Sequence, residues 1–354
     1  MFYHLSLYLK QYISCFNVVH YVSFRAIAAL LSSLGLFLLF GRWFIAQSKR
    51  FFRSKAREFT PETHKIKDDM PTMGGVFIIS VVAISSLLWC DLTNLRIWVF
   101  LFGLVSFGVL GFWDDWCKIK FGKGISAVAK FASQWSIALL VAVGLLFCQG
   151  MTTVVVFPFF KSFQPDIGWL FVPWAMFIIV GCSNAVNLTD GLDGLAIGSL
   201  MPNFATFSMV CYLAGHFKIA QYLNIPFAMT AEVAVLGAIL VGVSLGFLWY
   251  NTYPAQIFMG DVGSLALGAA LAIMALMAKQ ELLLVIAGGL FVVETVSVVL
   301  QVFSFKILGR RIFKMAPLHH HFELLGWPES RIATRFAIIS FVLCLLALIT
   351  LKLR

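Results

Sequence analysis

Five polar clusters interrupt an otherwise apolar chain: PTMGG (Pro71 to Gly75), DDWCK (Asp114 to Lys118), NAVNLTDGLDGL (Asn184 to Leu195), NTYPAQIFMGDVGS (Asn251 to Ser264) and PLHHHFE (Pro317 to Glu323). Asp114 and Asp115 follow directly on the apolar run FGVLGFW, which sets them at a membrane–water boundary. Adjacent carboxylates repel, and the relief is a bound cation or a raised pKa on one of them. Lys118 lies one helical turn on, able to face either acid and to hold an anionic ligand. A lone acidic pair also ends many spans simply by snorkelling, but the four companion clusters favour chemistry.

In the third cluster Asn184, Asn187, Asp190 and Asp193 recur at a spacing of three, one helical face if the helix persists. Gly191 and Gly194 leave the backbone free to bend around a ligand. A polar turn is the plainer reading of NLTDG, yet an ordinary turn at a bilayer edge does not need so many acceptors. Asp261, between Gly260 and Gly263, opens an apolar run and can serve both as helix cap and as hard oxygen ligand. With Asp114, Asp115, Asp190 and Asp193 it makes an oxygen-rich set suited to Mg²⁺ or Mn²⁺ rather than zinc. Magnesium also favours phosphate oxygens, so a diphosphate substrate is the natural third party.

His319, His320 and His321 suggest zinc at first sight, but consecutive side chains diverge and chelate one ion poorly. Beside Arg310, Arg311 and Lys314 they read better as donors to phosphate, with one imidazole available as acid or base; an inert solvated loop is the alternative. Glu294 and Gln301 lie within an apolar run, where an ionisable group is a functional hypothesis by default. Their separation puts them on one face at successive depths, with hydrogen bonding inside the bundle as the other reading. Glu232 reads as interfacial. The 7 cysteines show no CxxC spacing, so neither zinc nor a disulfide framework is indicated.

The elements that must hold these groups are membrane helices. The 354 residues are 61% hydrophobic and 12% charged, with a mean hydropathy of +0.93, whereas soluble domains run at about 25% charged. A core about 30 Å thick needs roughly 20 apolar residues per helix. Runs at 23–46, 72–90, 96–113, 128–148, 167–185, 195–214, 230–250, 262–278, 282–303 and 333–351 therefore predict an all-α polytopic membrane protein of about ten transmembrane helices. The whole chain, 1–354, forms one integral membrane domain. No cleaved leader is expected ahead of the first run, which has spanning length. Residues 4–19 are expected at the interface, and 151–165 to form a short hairpin outside the membrane.

Lys and Arg fix the orientation. They crowd the loops containing Lys49, Arg50 and Lys67, then Lys118, Lys120 and Lys130, then Lys306, Arg310, Arg311, Lys314 and Arg331, and are sparse on the alternate loops that hold Arg25, Arg96, Lys218 and Lys279. Positive charge stays in the cytoplasm, so all five clusters face it and both termini are periplasmic. The net charge of +10 thus reflects topology and anionic ligands, not nucleic acid.

In this order and across nearly the whole chain, the five motifs resemble the phospho-N-acetylmuramoyl-pentapeptide transferases, a branch of the polyprenyl-phosphate N-acetylhexosamine-1-phosphate transferases. The resemblance implies transfer of phospho-MurNAc-pentapeptide from UDP-MurNAc-pentapeptide to undecaprenyl phosphate, giving lipid I and UMP in peptidoglycan synthesis. It further implies Mg²⁺, a homodimer, contact with membrane lipids, and the bacterial cytoplasmic (inner) membrane. By similarity Asp261 is a principal magnesium ligand, Asp115 its partner near the metal, and Asp114 the base towards the lipid phosphate. Lys118, Lys130, His319, His320 and His321 would steady the transferring group, two of the histidines with a catalytic share, His319 and His320. The nucleoside pocket maps onto Lys67, Asn187, Asp193, Asn251 and Phe258, lined by Thr72, Asp190, Gly191, Gly260 and Ser264; Gln301 joins the substrate-binding set. Before Pro71 this chain reads KDDMPTMGG where the family pattern is KxGTPTMGG, a departure at Asp68, Asp69 and Met70. A single displacement and a phosphorylated aspartate would use the same residues; direct attack is favoured, because Asp114 and Asp115 suit a base and a metal partner better than a leaving carboxyl phosphate.

Two rivals follow from the same residues. A related branch transfers GlcNAc-1-phosphate, but the histidine run followed by Phe322, Glu323 and Gly326 to Glu329 resembles the muramoyl-pentapeptide branch. A transporter would set polar groups near the midplane of several spans, whereas here most gather at one edge.

Overall fold

The computed structural model describes residues 1–51, 70–160 and 163–352. Fourteen α-helices follow in chain order: α1 Phe2–Leu9, α2 Val22–Phe51, α3 Gly74–Trp89, α4 Leu95–Phe121, α5 Ala127–Leu146, α6 Phe171–Thr189, α7 Leu195–Ala214, α8 Phe217–Leu223, α9 Ala231–Asn251, α10 Gly260–Met277, α11 Leu283–Ala287, α12 Gly289–Leu308, α13 Leu318–Glu323 and α14 Glu329–Thr350. Among the described residues nine are long and apolar enough to cross a membrane, and α3, with 16 residues, is a shorter apolar tenth. The chain is an all-α, multi-pass membrane protein, as its hydropathy runs require.

The bundle is built round α10, the most buried span. Its sequence GDVGSLALGAALAIMALM is rich in Gly and Ala. Lipid tails are as apolar as leucine, so spans associate through close packing, which small residues permit. α4 and α6 pack most closely on α10, with α3 beside them; α2 and α7 flank α9, and α14 lies on α7. α12 stands at the periphery, with Val292, Val296, Val299, Phe303 and Ile307 exposed on it.

Caps set where the spans stop. Asn94 accepts the Arg96 amide at 3.0 Å at the start of α4, and Gly122, at φ +71°, ends that helix. α4 therefore runs eight residues beyond the predicted limit at 113, and Asp114, Asp115 and Lys118 ride on its last turns. The predicted span 282–303 is broken at Gly288 into α11 and α12. The expected hairpin at 151–165 is reduced to one antiparallel bridge, Val154 with Asp166, and no strand forms among the described residues.

On the face opposite the aspartates, three basic residues, Arg25, Arg96 and Lys279, are structural. Arg25 is buried and gives a two-pronged ion pair to Glu232, at 2.8 and 2.5 Å. Glu232 also accepts the Asp91 amide at 3.1 Å, and the guanidinium lies 4.3 Å over the Tyr3 ring. Glu232, in the first turn of α9, ties that helix to α2, the α3–α4 turn and the N-terminal helix. Buried Arg96 donates to the carbonyls of Met229, Gln149 and Ala228, and buried Lys279 pairs with Glu281 at 2.9 Å.

Candidate active site

The site begins where two helix ends meet. The last turns of α4 present Asp114 and Asp115, and the first turn of α10 presents Asp261; one oxygen of each lies within 4.8 Å of the others. Gly111, one turn before the pair, makes the approach possible: a Cβ there would fall 2.3 Å from the Asp261 carbonyl oxygen. Gly111→Ala is expected to push α4 off α10 and cut turnover about 100-fold, since ångström-scale misplacement of reacting groups costs that much. The check is kcat on detergent-purified enzyme with its thermal midpoint recorded alongside. Gly260, at φ +72°, lets the loop turn into α10 within reach of the Asp115 carboxylate and the Thr72 hydroxyl.

Two ammonium groups already occupy this acidic cradle. Lys118 Nζ lies 2.8 Å from Asp114, 3.1 Å from Asp115 and 2.8 Å from Asp261. Lys130, from α5, reaches Asp114 at 3.0 Å and Asp261 at 2.5 Å. The Ile125 amide donates to Asp114 at 2.9 Å, and the Asn187 amide to Asp261 at 3.0 Å and to Ser264 at 2.8 Å. Asp115 accepts the Val262 amide at 3.4 Å. Asp261 thus sits in the first turn of α10 rather than at its cap, and Asp115, reaching over from α4, takes an orphan amide of that helix end.

Three carboxylates facing two ammoniums leave one negative charge over, and every acidic donor is a hard oxygen. Such a set, able to gather two small cations, has the chemistry to hold a divalent ion such as magnesium, with Asp114, Asp115 and Asp261 as the groups that could hold it.

α6 does not persist through the third cluster. It ends at Thr189, so Asn184 and Asn187 lie on the helix while Asp190 and Asp193 belong to the following turn. Asn184 turns to Gln134 on α5, at 2.8 Å. Desolvation pushes the Asp190 carboxyl up to about 8, with the charges of Asp261, Asp115 and Asp193 adding to the shift. Buried Asp193 accepts the Ala255 amide at 3.0 Å; Asn251 accepts from Gly194 at 3.1 Å and donates to the Ile257 carbonyl at 2.8 Å. These two therefore brace the α9–α10 loop. That loop is also zipped to PTMGG by Phe258 to Pro71, Gly74 to Phe258 and Gly75 to Met259 backbone bonds, each 2.9 Å.

The three histidines diverge as their spacing requires. His319 is fully buried, with its ring against Gly191 and Glu294. His320 contacts Glu323 at 3.0 Å, and His321 accepts the Lys314 amide at 3.1 Å. Leu192, Leu195, Leu290, Ile332 and Phe336 form a small separate core that holds α13 and α14 against the Asp190 turn. Gln301 does not reach towards the aspartates: its carbonyl takes the amides of Ile312 and Phe313, and its amide donates to Phe313. Lys67 lies outside the described residues. Gly111, Gln134 and Ile125 escaped the sequence reading; a glycine one turn before two carboxylates was the available signal.

Residues 97–279, just over half of the chain, match glycosyl transferase family 4. The phospho-N-acetylmuramoyl-pentapeptide-transferases of Citrifermentans bemidjiense, Syntrophus aciditrophicus and Aquifex aeolicus are 49%, 48% and 48% identical to it, each over 100% of both chains. The chain belongs to the phospho-N-acetylmuramoyl-pentapeptide transferase family. In a transferase of this family the carboxylate–lysine cluster stands at the ends of membrane helices, where a soluble and a lipid substrate can both reach it. Beside Lys130, the α5 residues Ala127, Val128, Phe131, Ala132 and Trp135 line an open apolar depression.

Proposed function

We propose that this protein transfers phospho-MurNAc-pentapeptide from its UDP carrier to undecaprenyl phosphate, forming lipid I and UMP, at the cytoplasmic face of the bacterial inner membrane. One observation carries the reading: the Asp114, Asp115 and Asp261 cradle, with its two lysines, opens beside an apolar face of α5. A phosphate attached to an isoprenoid can enter such a place head first while its tail stays in lipid.

An oxygen of the lipid phosphate attacks the phosphorus that bears the sugar. The new P–O bond forms as the bond to UMP breaks, and the leaving electron pair stays on the UMP phosphate. Asp114 stands to take any proton from the attacking phosphate. Lys118 and Lys130 turn from the carboxylates to phosphate oxygens and neutralise the charge that spreads over the transferring group, which is most of what phosphoryl transfer asks of a protein. Asn187, itself anchored on Ser264, holds Asp261 in place. Magnesium, bound through Asp261 and Asp115, would add Lewis-acid charge neutralisation at the diphosphate.

The test is UMP release from purified protein given undecaprenyl phosphate and either UDP-MurNAc-pentapeptide or UDP-GlcNAc. Turnover of the muramoyl substrate is expected, abolished by EDTA and restored by excess Mg²⁺. Consumption of UDP-GlcNAc alone would overturn the substrate, and full activity after exhaustive chelation would overturn the metal.

A further inference from the structure

Glu294 is a buried carboxylate on α12 that the reaction above does not use, although an acid within a span carries a standing cost. Its Oε1 accepts the His319 backbone amide at 3.2 Å, and its Oε2 lies 3.4 Å from His319 Nδ1. One carboxylate thereby accepts from the first turn of α13 and stands beside the imidazole that turn presents. Neither ring nitrogen has a hydrogen-bond partner among the described residues although the side chain is fully buried. The two differ in what they face: Nδ1 has the Glu294 carboxylate 3.4 Å away, and Nε2 has no carboxylate beside it. Nε2 points at Gly191, where a Cβ would come within 2.3 Å of it.

Gly191 follows Asp190 in the turn whose charges reach Asp261 and Asp115. Nε2 is therefore set against the turn that joins the histidine helix to the carboxylate cluster. The groups facing the ring are Glu294 from α12, the Gly191 backbone, and His320 and Glu323 of its own helix.

We propose that Glu294 is a positioning residue: it fixes His319 as the Nδ1–H tautomer, leaving the Nε2 lone pair as an acceptor turned to the Gly191 turn. A neutral imidazole with a carboxylate at one nitrogen donates there and accepts at the other. Burial agrees, since it pushes the His319 imidazole below its ordinary range despite the pull of Glu294. His319 then presents an acceptor rather than a donor at the Gly191 turn, unlike the phosphate donor that the histidine run suggested. The acceptor role rests on the transferase reading; the tautomer does not.

The experiment has two arms. ¹⁵N spectra of histidine-labelled full-length protein in nanodiscs, with the His319 signal assigned by its loss in His319→Asn, should show Nδ1 protonated and Nε2 bare at pH 8. Glu294→Gln keeps an acceptor for the His319 amide but presents an N–H₂ to Nδ1, which favours the opposite tautomer. It should lower kcat about 10- to 100-fold, the scale of loss when a carboxylate that orients a metal-bound histidine is removed, with KM for the UDP-sugar and the thermal midpoint unchanged. A wild-type ring protonated at Nε2, an unchanged kcat in Glu294→Gln, or a lost kcat without a tautomer change would each overturn the assignment. A bare Nε2 in a protein that releases no UMP from UDP-MurNAc-pentapeptide would count against the reaction alone.

Discussion

Asp261→Asn is expected to lower UMP release by about 10³-fold, at the upper end of what removing one transition-state contact costs, in protein that still inserts and purifies. Asp261 is the acid on which the cluster converges: both lysines reach its Oδ2, and Asn187 reaches its Oδ1. Asparagine has nearly the same shape and keeps one carbonyl oxygen for Asn187. Its amide nitrogen, however, would face two ammonium groups, and the charge that holds a cation is gone. Asp115→Asn is expected to follow with a loss of about 10² to 10³, because Asp115 meets only one of the lysines and also supports the first turn of α10. Turnover across a magnesium titration measures both, with thermal midpoints as the folding control. Near-normal release of UMP from Asp261→Asn would remove the carboxylate cradle from the mechanism.

The second large effect lies on the other side of the membrane and concerns stability. Glu232→Ala would leave the Arg25 guanidinium buried without its counter-ion, and breaking such a pair costs about 3–5 kcal/mol. The loss should appear as a clear fall in thermal midpoint in detergent. The double variant Arg25→Met with Glu232→Leu should recover most of it, since a packed apolar pair is often no less stable than the ions it replaces. Activity per folded molecule should hardly change, because no catalytic group touches this cluster. A Glu232→Ala protein as stable as wild type would mean that the Tyr3 ring and the Trp89 carbonyl, 3.2 Å from Arg25, suffice for the guanidinium.

What could be read from sequence follows a physical divide. Spans were legible because lipid demands continuous apolar length, and every run proposed lies largely within a helix. The aspartates were legible because carboxylates at a helix end are costly without purpose. Partner choice was not, because nothing in the spacing of Asn184 and Asn187 says that one turns to Gln134 and the other to Asp261. A three-residue period left open whether α6 persists or turns at NLTDG, and the helix ends at Thr189, before the glycine that follows Asp190. Nor does the sequence say what Gln301 meets within its own chain: its carbonyl takes the Ile312 and Phe313 amides and one N–H goes to the Phe313 carbonyl. Gly111 carried no chemistry of its own, so only the contact with α10 reveals its importance.

The brevity of α3 has a consequence for the surrounding bilayer. At 1.5 Å per residue, its 16 residues reach about 24 Å, short of the roughly 30 Å hydrocarbon layer, while the 27 residues of α4 reach about 40 Å. The entrance of α3 is tethered by backbone bonds to the loop that leads into Asp261, so it cannot rise to meet the headgroups. Such a mismatch is relieved by thinning of the adjacent leaflet. Thinning beside α3 would bring the headgroup level nearer the carboxylates, and with it the phosphate of an isoprenoid lipid in that leaflet.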